Sequence, residues 1–351
     1  MKEKRVTIKD IAKKAGVSIG TVDRVLHHRG EVAEDTRTRI LKLAETMHYK
    51  PNLFARALIS KKQYKLAVLL PNPTKDNTYW FRHIEGIKST ARQLEDYGFL
   101  VALLHFDLHN GAEFTSQAQT ILAMEPDGVI FAPILKKESL TFTAEMDQRS
   151  IPYIFIDTNI KDTNCLGFIG EDAFQSGRVA ASIIDFGIDP EKDILLVNIA
   201  KDLDNTQHLT SRNQGFMSYF MDAGRNRGIK ISLEIPSADE EVVAEKLNRV
   251  LTNNPNIGAI WVSSAKTYAV ARYLDQINER DLIVVGYEVY EENVAYVQKN
   301  IIQYLIAQQP VKQSRKALRK MFNYLSSNMP PAKLEYQKIE IVNAENIRFY
   351  I

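Results

Sequence analysis

Cysteine is almost absent from this chain. Cys165 is the single thiol among 351 residues, which rules out an internal disulfide framework. Long apolar runs are missing as well. Nothing approaches the roughly 20 residues that a membrane span needs, and the charged start Met1-Lys2-Glu3-Lys4-Arg5 offers no apolar core for a signal peptide. The expectation is a cytoplasmic protein with no membrane partner. The phosphate cradles Gly-x-Gly-x-x-Gly and Gly-x-x-x-x-Gly-Lys do not occur either, so no nucleotide cofactor is expected. What is present is 45% hydrophobic residues, ample for more than one core over this length.

Charge is distributed unevenly. Residues 1–65 carry 16 Lys+Arg against 7 Asp+Glu, a net of +9, while residues 66–351 carry 29 against 36, a net of −7, beneath a whole-chain net of +2. A polyanion is drawn to such a head and repelled by the rest, with the salt dependence of counterion release.

The head has its own pattern. Thr7 and Asp10 form a capping box in its Asp form, and Ile8, Ile11, Ala12 and Ala15 follow at helical spacing. Gly16 supplies the positive φ of a sharp turn, and Ser18 suits the N-cap of a second helix whose Val22, Val25 and Leu26 face inward. Ile19, Gly20 and Arg24 then face outward. A third amphipathic segment, Thr36 to Met47, offers Ile40, Leu41, Leu43 and Ala44 to close a small core. Two helices joined by a tight turn, the second with an exposed N-terminal face, suit the DNA major groove; a generic three-helix bundle is the plainer reading.

Beyond Lys61-Lys62-Gln63, short apolar runs alternate with helical segments. The runs Leu66–Leu70, Leu100–His105, Gly128–Phe131 and Tyr153–Ile156 form one series, separated by stretches such as Phe81–Leu94 and Phe114–Met124. The pattern restarts at Leu166–Ile169 and continues through Ile194–Val197, Ile229–Ile235, Ala259–Val262 and Leu282–Val285. Such alternation predicts parallel sheets covered on both faces. Ligands then sit beyond the carboxyl ends of the strands, where this chain has Asp107, Asp157, Ser263, Ser264 and Glu288. Tyr79 and Trp80 open the first helix, where aromatic faces suit stacking on a sugar ring. Each has a plainer role: Asp157 and Glu288 as caps of turns, Trp80 as core. Ser263-Ser264-Ala265-Lys266 matches Ser-x-x-Lys, but no Lys-Thr-Gly accompanies it. His105-x-Asp107-x-His109 has a metal-like spacing with no cysteine nearby, and an exposed polar loop explains it better. Neither a metal nor catalysis is expected.

Residues 5–62 resemble the headpiece and hinge of the LacI family of bacterial transcription regulators. The capped first helix, Ala15-Gly16-Val17-Ser18, Thr21-Val22-x-Arg24-Val25-Leu26 and Pro51-Asn52-x-x-Ala55-x-x-Leu58 occur together in register, and the order of segments in the body matches that family over nearly the whole chain. By position, the resemblance implies that Ser18, Ile19, Gly20, Thr21 and Arg24 line the recognition helix, with Arg24 able to make a bidentate contact to guanine. It also implies that Asn52, Ala55 and Leu58 belong to a hinge helix that wedges the minor groove. In the body, Arg212 with Gly215-Phe216 resembles the Arg-x-x-Gly-Phe segment with which sugar-binding relatives hold a ligand, and Gln308 matches a recurrent ligand-contacting glutamine. Three departures stand out: Asp23 where Ser is usual, Gly20 with no side chain to offer a base, and Glu288 where Asp is more frequent. Operator preference therefore does not transfer. Asp23 suits either a cytosine N4 or an i,i+4 partnership with His27.

The fold implied is an all-α helix-turn-helix headpiece (1–50), a hinge helix or linker (51–62), and an α/β body (63–351) of two doubly wound parallel-sheet subdomains of the type I periplasmic-binding-protein kind. The first subdomain takes about 63–160 plus 290–322 and the second about 161–289 plus 323–351, with crossings near Asp157–Asn164, Tyr287–Tyr290 and Met321–Asn328. The implied function is a nucleoid-associated repressor. It binds as a homodimer to a pseudo-palindromic double-stranded operator and is switched by a carbohydrate-like effector that melts a marginally stable hinge. Met329–Ile351 lacks a leucine heptad, which favours a dimer over a tetramer. Two rivals remain. A solute-binding transport protein would need a signal peptide and no basic head, and an architectural DNA-binding protein would leave its cleft empty.

Overall fold

The computed structural model describes residues 6–26, 30–47, 49, 62–74, 79–200, 207–222 and 230–351, and the expected hinge residues Asn52, Ala55 and Leu58 lie outside them. The chain divides into two compact units, Met1–Ser60 and Lys61–Ile351.

The first unit packs α1 (Ile8–Ala15), α2 (Ile19–Leu26) and α3 (Glu34–Thr46) around Ile11, Ala12, Ala15, Val22, Val25 and Ile40. Leu41 is a correction: expected in this core, it is 42% exposed. At about 100° per residue it falls off the stripe that Ile40, Leu43 and Ala44 share. Helix α3 also begins two residues before Thr36, with Glu34 and Asp35 in its first turn, where negative charge meets the positive end of the helix dipole.

The second unit contains two six-stranded sheets. The first comprises β1 (Tyr64–Pro71), β2 (Phe99–Phe106), β3 (Gly128–Phe131), β4 (Tyr153–Asp157), β5 (Gly167–Gly170) and, late in the chain, β11 (Leu334–Tyr336), in the spatial order β11-β5-β4-β3-β1-β2 and parallel throughout. The second comprises β6 (Asp193–Ile199), β7 (Lys230–Ile235), β8 (Ile257–Val262), β9 (Ile283–Tyr287), β10 (Tyr304–Ala307) and β12 (Glu340–Val342), in the order β12-β10-β9-β8-β6-β7. Its strands are parallel except for the antiparallel β10–β12 pair.

The helices are α4 (Tyr79–Glu95), α5 (Gly111–Ala123), α6 (Lys136–Gln148), α7 (Ala173–Gly187), α8 (Gln207–Asp222), α9 (Glu240–Asn253), α10 (Thr267–Gln276), α11 (Glu291–Gln298) and α12 (Pro310–Ser327). Rings fill much of the first core, with Phe131 meeting Phe155 edge-on at 5.1 Å; aliphatic side chains such as Leu195, Val197, Ile260 and Val262 dominate one face of the second sheet.

The crossings fall later than expected. Strand β5 belongs to the first sheet, α11 and β10 to the second, and α12 packs on α4 and the first sheet. The chain therefore passes between subdomains around 171–172, 308–309 and 337–339 rather than near 157–164, 287–290 and 321–328. The cause is local: no helix separates β4 from β5, so β5 reads as the start of a new series.

Candidate functional site

The head builds its outward face from local bonds. The Thr7 N–H donates to Asp10 Oδ2 at 2.8 Å and the Asp10 N–H to Thr7 Oγ1 at 3.4 Å, closing the capping box. Gly16 takes φ +66° and turns the chain. Ser18 Oγ accepts the Thr21 N–H at 3.1 Å and bonds the Thr21 hydroxyl at 2.9 Å, so both side chains fix the start of α2. Ile19, Gly20 and Arg24 are left exposed, with Arg24 Nε donating to the Gly20 carbonyl at 3.4 Å. His27, the proposed partner of Asp23, lies outside the described residues. Residues 16–20 also spell Gly-x-Ser-x-Gly, the letters of a hydrolase elbow. A nucleophile elbow needs a strand before the turn, and here α1 precedes it.

A second constellation forms at the carboxyl ends of the body's strands. Asp157 ends β4 and Glu288 follows β9, both in left-handed backbone conformations with φ +65° and +69°. Such strain costs a non-glycine residue about 1 kcal/mol or more, and it persists where the surroundings enforce it. Here the Asp157 N–H donates to Gln313 Oε1 at 3.2 Å and the Glu288 N–H to the Ile306 carbonyl at 2.9 Å.

Side-chain bonds join the pieces. The Tyr79 hydroxyl donates to Asp157 Oδ1 and lies 3.5 Å from Gln308 Oε1, while the Gln308 N–H donates to Glu288 Oε1 at 3.0 Å. Arg212, 1% exposed, donates through Nη1 to the Ser263 carbonyl at 2.7 Å and through Nε and Nη2 to Glu171 Oε2 at 3.2 and 2.5 Å. Its guanidinium lies 3.6 Å above the Tyr287 ring.

A close helix crossing produces that geometry. A Cβ on Gly177 of α7 would overlap the Arg212 carbonyl, and one on Gly215 of α8 would overlap the Phe174 carbonyl. The two backbones therefore touch, which brings Arg212 beside Glu171 just ahead of α7. Phe216 stacks on Trp261 at 4.3 Å in the core. In Arg-x-x-Gly-Phe, then, the glycine and phenylalanine serve packing.

Electrostatics follow from burial. Burial works against charge on Arg212, but Glu171, Tyr287 and Glu288 together outweigh it and hold the guanidinium firmly protonated. Burial raises the Asp157 carboxyl, with Glu171 adding to the push and bonds from Tyr79 and Thr158 opposing it. Glu288 is pushed up to about 8, by burial first and Glu171 second. His208, one turn before Arg212, is pushed down to about 3 by burial and by Arg212, so it is neutral near pH 7.

Of the residues singled out in the body, Tyr79, Asp157, Arg212, Ser263, Glu288 and Gln308 lie in this network or at its edge. Ser263 meets Arg212 through its backbone, while its hydroxyl donates to Asn198 Oδ1 at 2.5 Å. Ser264 Oγ accepts from the Lys266 N–H at 3.4 Å within its own turn. Trp80 is 3% exposed and stacks on His83 at 5.0 Å, a core position. Asp107 is exposed and accepts the His109 N–H at 2.7 Å in a local turn.

Glu171, Asn198, Tyr287, Tyr290 and Gln313 were not foreseen. Glu171 follows β5 as Asp157 ends β4, and the same strand-end rule reaches it once β5 is placed in the first sheet. Among the described residues, no group of three or more His, Cys, Asp and Glu is placed to hold a metal ion, and no helix is long and apolar enough to cross a membrane. A groove of about 300 Å³ between α5 and α6, lined by Thr115, Gln119, Glu138 and Glu145, shares no residue with the cluster.

Residues 7–52 match the family model for bacterial regulatory proteins of the lacI family, and residues 68–329 match the periplasmic binding protein domain. Catabolite control protein A of Streptococcus mutans is 35% identical over 126 residues, 36% of each chain. The HTH-type transcriptional regulator RegA of Clostridium saccharobutylicum is 28% identical over 231 residues, 65% of this chain and 64% of its own. The alignments thus span less than two thirds of these relatives' length. A solved structure from Bacteroides fragilis, described as that of a LacI transcriptional regulator, superposes with a TM-score of 0.73 at 26% identity, covering 83% of this chain and all of that one. The chain belongs to the LacI family of bacterial regulatory proteins.

Proposed function

We propose that this protein is a ligand-responsive, sequence-specific transcription repressor and not a catalyst. It works in the cytoplasm as a homodimer on a pseudo-palindromic operator. One observation carries the reading: a single chain joins a helix-turn-helix with Ile19, Gly20 and Arg24 exposed on its second helix to a two-sheet body with a buried polar cluster at its strand ends. The first reads base edges. The second holds a carbohydrate-like effector through acceptors from Asp157 and Glu288 and through the Tyr79 ring, beside the Arg212–Glu171 pair. Effector binding changes the angle between the two sheets and alters operator affinity, a coupling of about 1–3 kcal/mol in such systems.

Selection of bound sequences from a random double-stranded DNA pool, with and without a panel of sugars and their derivatives, tests this reading. A palindromic consensus gained or lost with one compound is the expected outcome. Salt-sensitive binding with no consensus would overturn it.

A further inference from the structure

The cleft's charge balance says something about the effector that the family does not. Among the described residues, three buried or half-buried carboxyl groups, Asp157, Glu171 and Glu288, surround one cation, Arg212. That cation is already committed, since two of its nitrogens bond Glu171 Oε2 and a third bonds the Ser263 carbonyl. The other described titratable side chains that interact with these groups are Tyr79, Tyr287 and Tyr290, whose hydroxyls burial keeps neutral, and His208, neutral near pH 7. Two buried atoms of this cluster have no hydrogen-bond partner among the described residues: Glu171 Oε1, on a residue 8% exposed, and the Tyr290 hydroxyl, also on a residue 8% exposed, which feels the charges of Glu288, Asp157 and Arg212. An unpaired carboxylate oxygen shielded from water calls for a hydrogen-bond donor, preferably a charged one.

On the reading that the cleft holds a carbohydrate-like effector, we infer that this effector carries a protonated amine, as an amino sugar does, and that the cleft rejects carboxylate and phosphate groups. An ammonium brings three donors and no acceptor, the complement of a site rich in open acceptors. A ligand carboxylate would add a fourth acidic group and find the guanidinium fork taken. A neutral hydroxyl supplies a donor but no positive charge to favour the ionised forms of Asp157 and Glu288, whose carboxyls burial raises. The raised Asp157 and Glu288 carboxyls fit the same picture, because an ammonium among them draws their pKa values down and sends a proton to solvent.

The test is calorimetric titration of the full-length protein at pH 7 with three matched series: aldohexoses, their 2-amino-2-deoxy analogues and their uronates. At least one amine is expected to bind ten or more times tighter than its neutral parent, with proton release revealed by the buffer dependence of the heat. The uronate of the same sugar should bind at least ten times weaker than that parent. Glu171→Gln should reduce the amine preference to under threefold; if that variant does not fold, Glu288→Gln serves instead. Neutral sugars or uronates binding as tightly as the amines would overturn the charge inference and leave the effector reading standing. Binding by none of the three series would overturn the effector reading itself.

Discussion

Two arginines in this chain are placed in opposite ways. Arg24 stands exposed on the outward face of α2 and, among the described residues, bonds its own helix through the Gly20 carbonyl. Arg212 sits at 1% exposure on the inward face of α8, bonded to Glu171 and Ser263 and stacked on Tyr287. The first is free to be changed for the sake of a DNA base at little structural cost. The second shares its site with the packing of the body, so recognition there is coupled to stability.

The largest way to test that contrast is Arg212→Ala. It strands a buried Glu171 and should cost about 3–5 kcal/mol, the usual penalty for breaking a buried pair from one side. Removing both charges in an Arg212→Met, Glu171→Leu double variant should recover most of that loss while still abolishing effector binding. Urea unfolding of the full chain measures both; equal losses in the single and double variants would mean that the pair is not the unit.

Glu288→Gln comes next and runs the other way. Its carboxyl, ordinarily near 4.5, is pushed up to about 8, so the folded state keeps a proton that the unfolded chain releases between these values. Stability therefore falls as pH rises through that window, by about 3 kcal/mol between pH 4 and pH 7, and levels off above it. The amide should remove most of this slope, leaving the variant equal to its parent at pH 4 and more stable at pH 7. The raised Asp157 adds a slope of the same sign. Melting curves at a series of pH values decide it, and parallel curves for parent and variant would show that Glu288 ionises freely.

Arg24→Ala should leave the unfolding transition unmoved and cost about 1–3 kcal/mol of discrimination between operator and random DNA, with weak, salt-sensitive binding retained. Competition binding at two salt concentrations is the measurement. A variant that keeps its preference for the operator would shift base reading to other residues.

The same contrast explains what the sequence makes legible. The head is specified over short range: Thr7 with Asp10, Gly16 and Ser18 each act within a few positions, and each does in the structure what its spacing predicts. Strand ends in the body are legible for a similar reason, since Asp157 and Glu288 follow strong apolar runs. What stays hidden is long-range. Glu171 reaches Arg212 across 41 positions through a helix crossing that depends on Gly177 and Gly215, and no local pattern announces that meeting. Strands β11 and β12, three residues each, carry too little periodicity to be seen, and Leu334, Tyr336 and Ile341 remain largely exposed.

The smallest effects expected are the sharpest check on the head. Gly16 and Gly20 lie four positions apart, and neither is crowded: a Cβ on Gly16 meets nothing within 4 Å, and one on Gly20 meets only Ser18 Oγ at 3.8 Å. Backbone conformation alone then separates them. Gly16, at φ +66°, should lose about 1 kcal/mol on replacement by Ala, because an L side chain in the left-handed region crowds its own carbonyl. Gly20, inside α2, should gain about 0.5–1 kcal/mol from the same change, because alanine gives up less backbone freedom in a helix. Hydrogen exchange of the α1 and α2 amides in the full chain reads both. Opposite signs would establish that the turn, and not the volume at either position, sets the angle of the recognition helix; equal signs would mean that the turn relaxes freely and that the capping bonds of Ser18 alone position it.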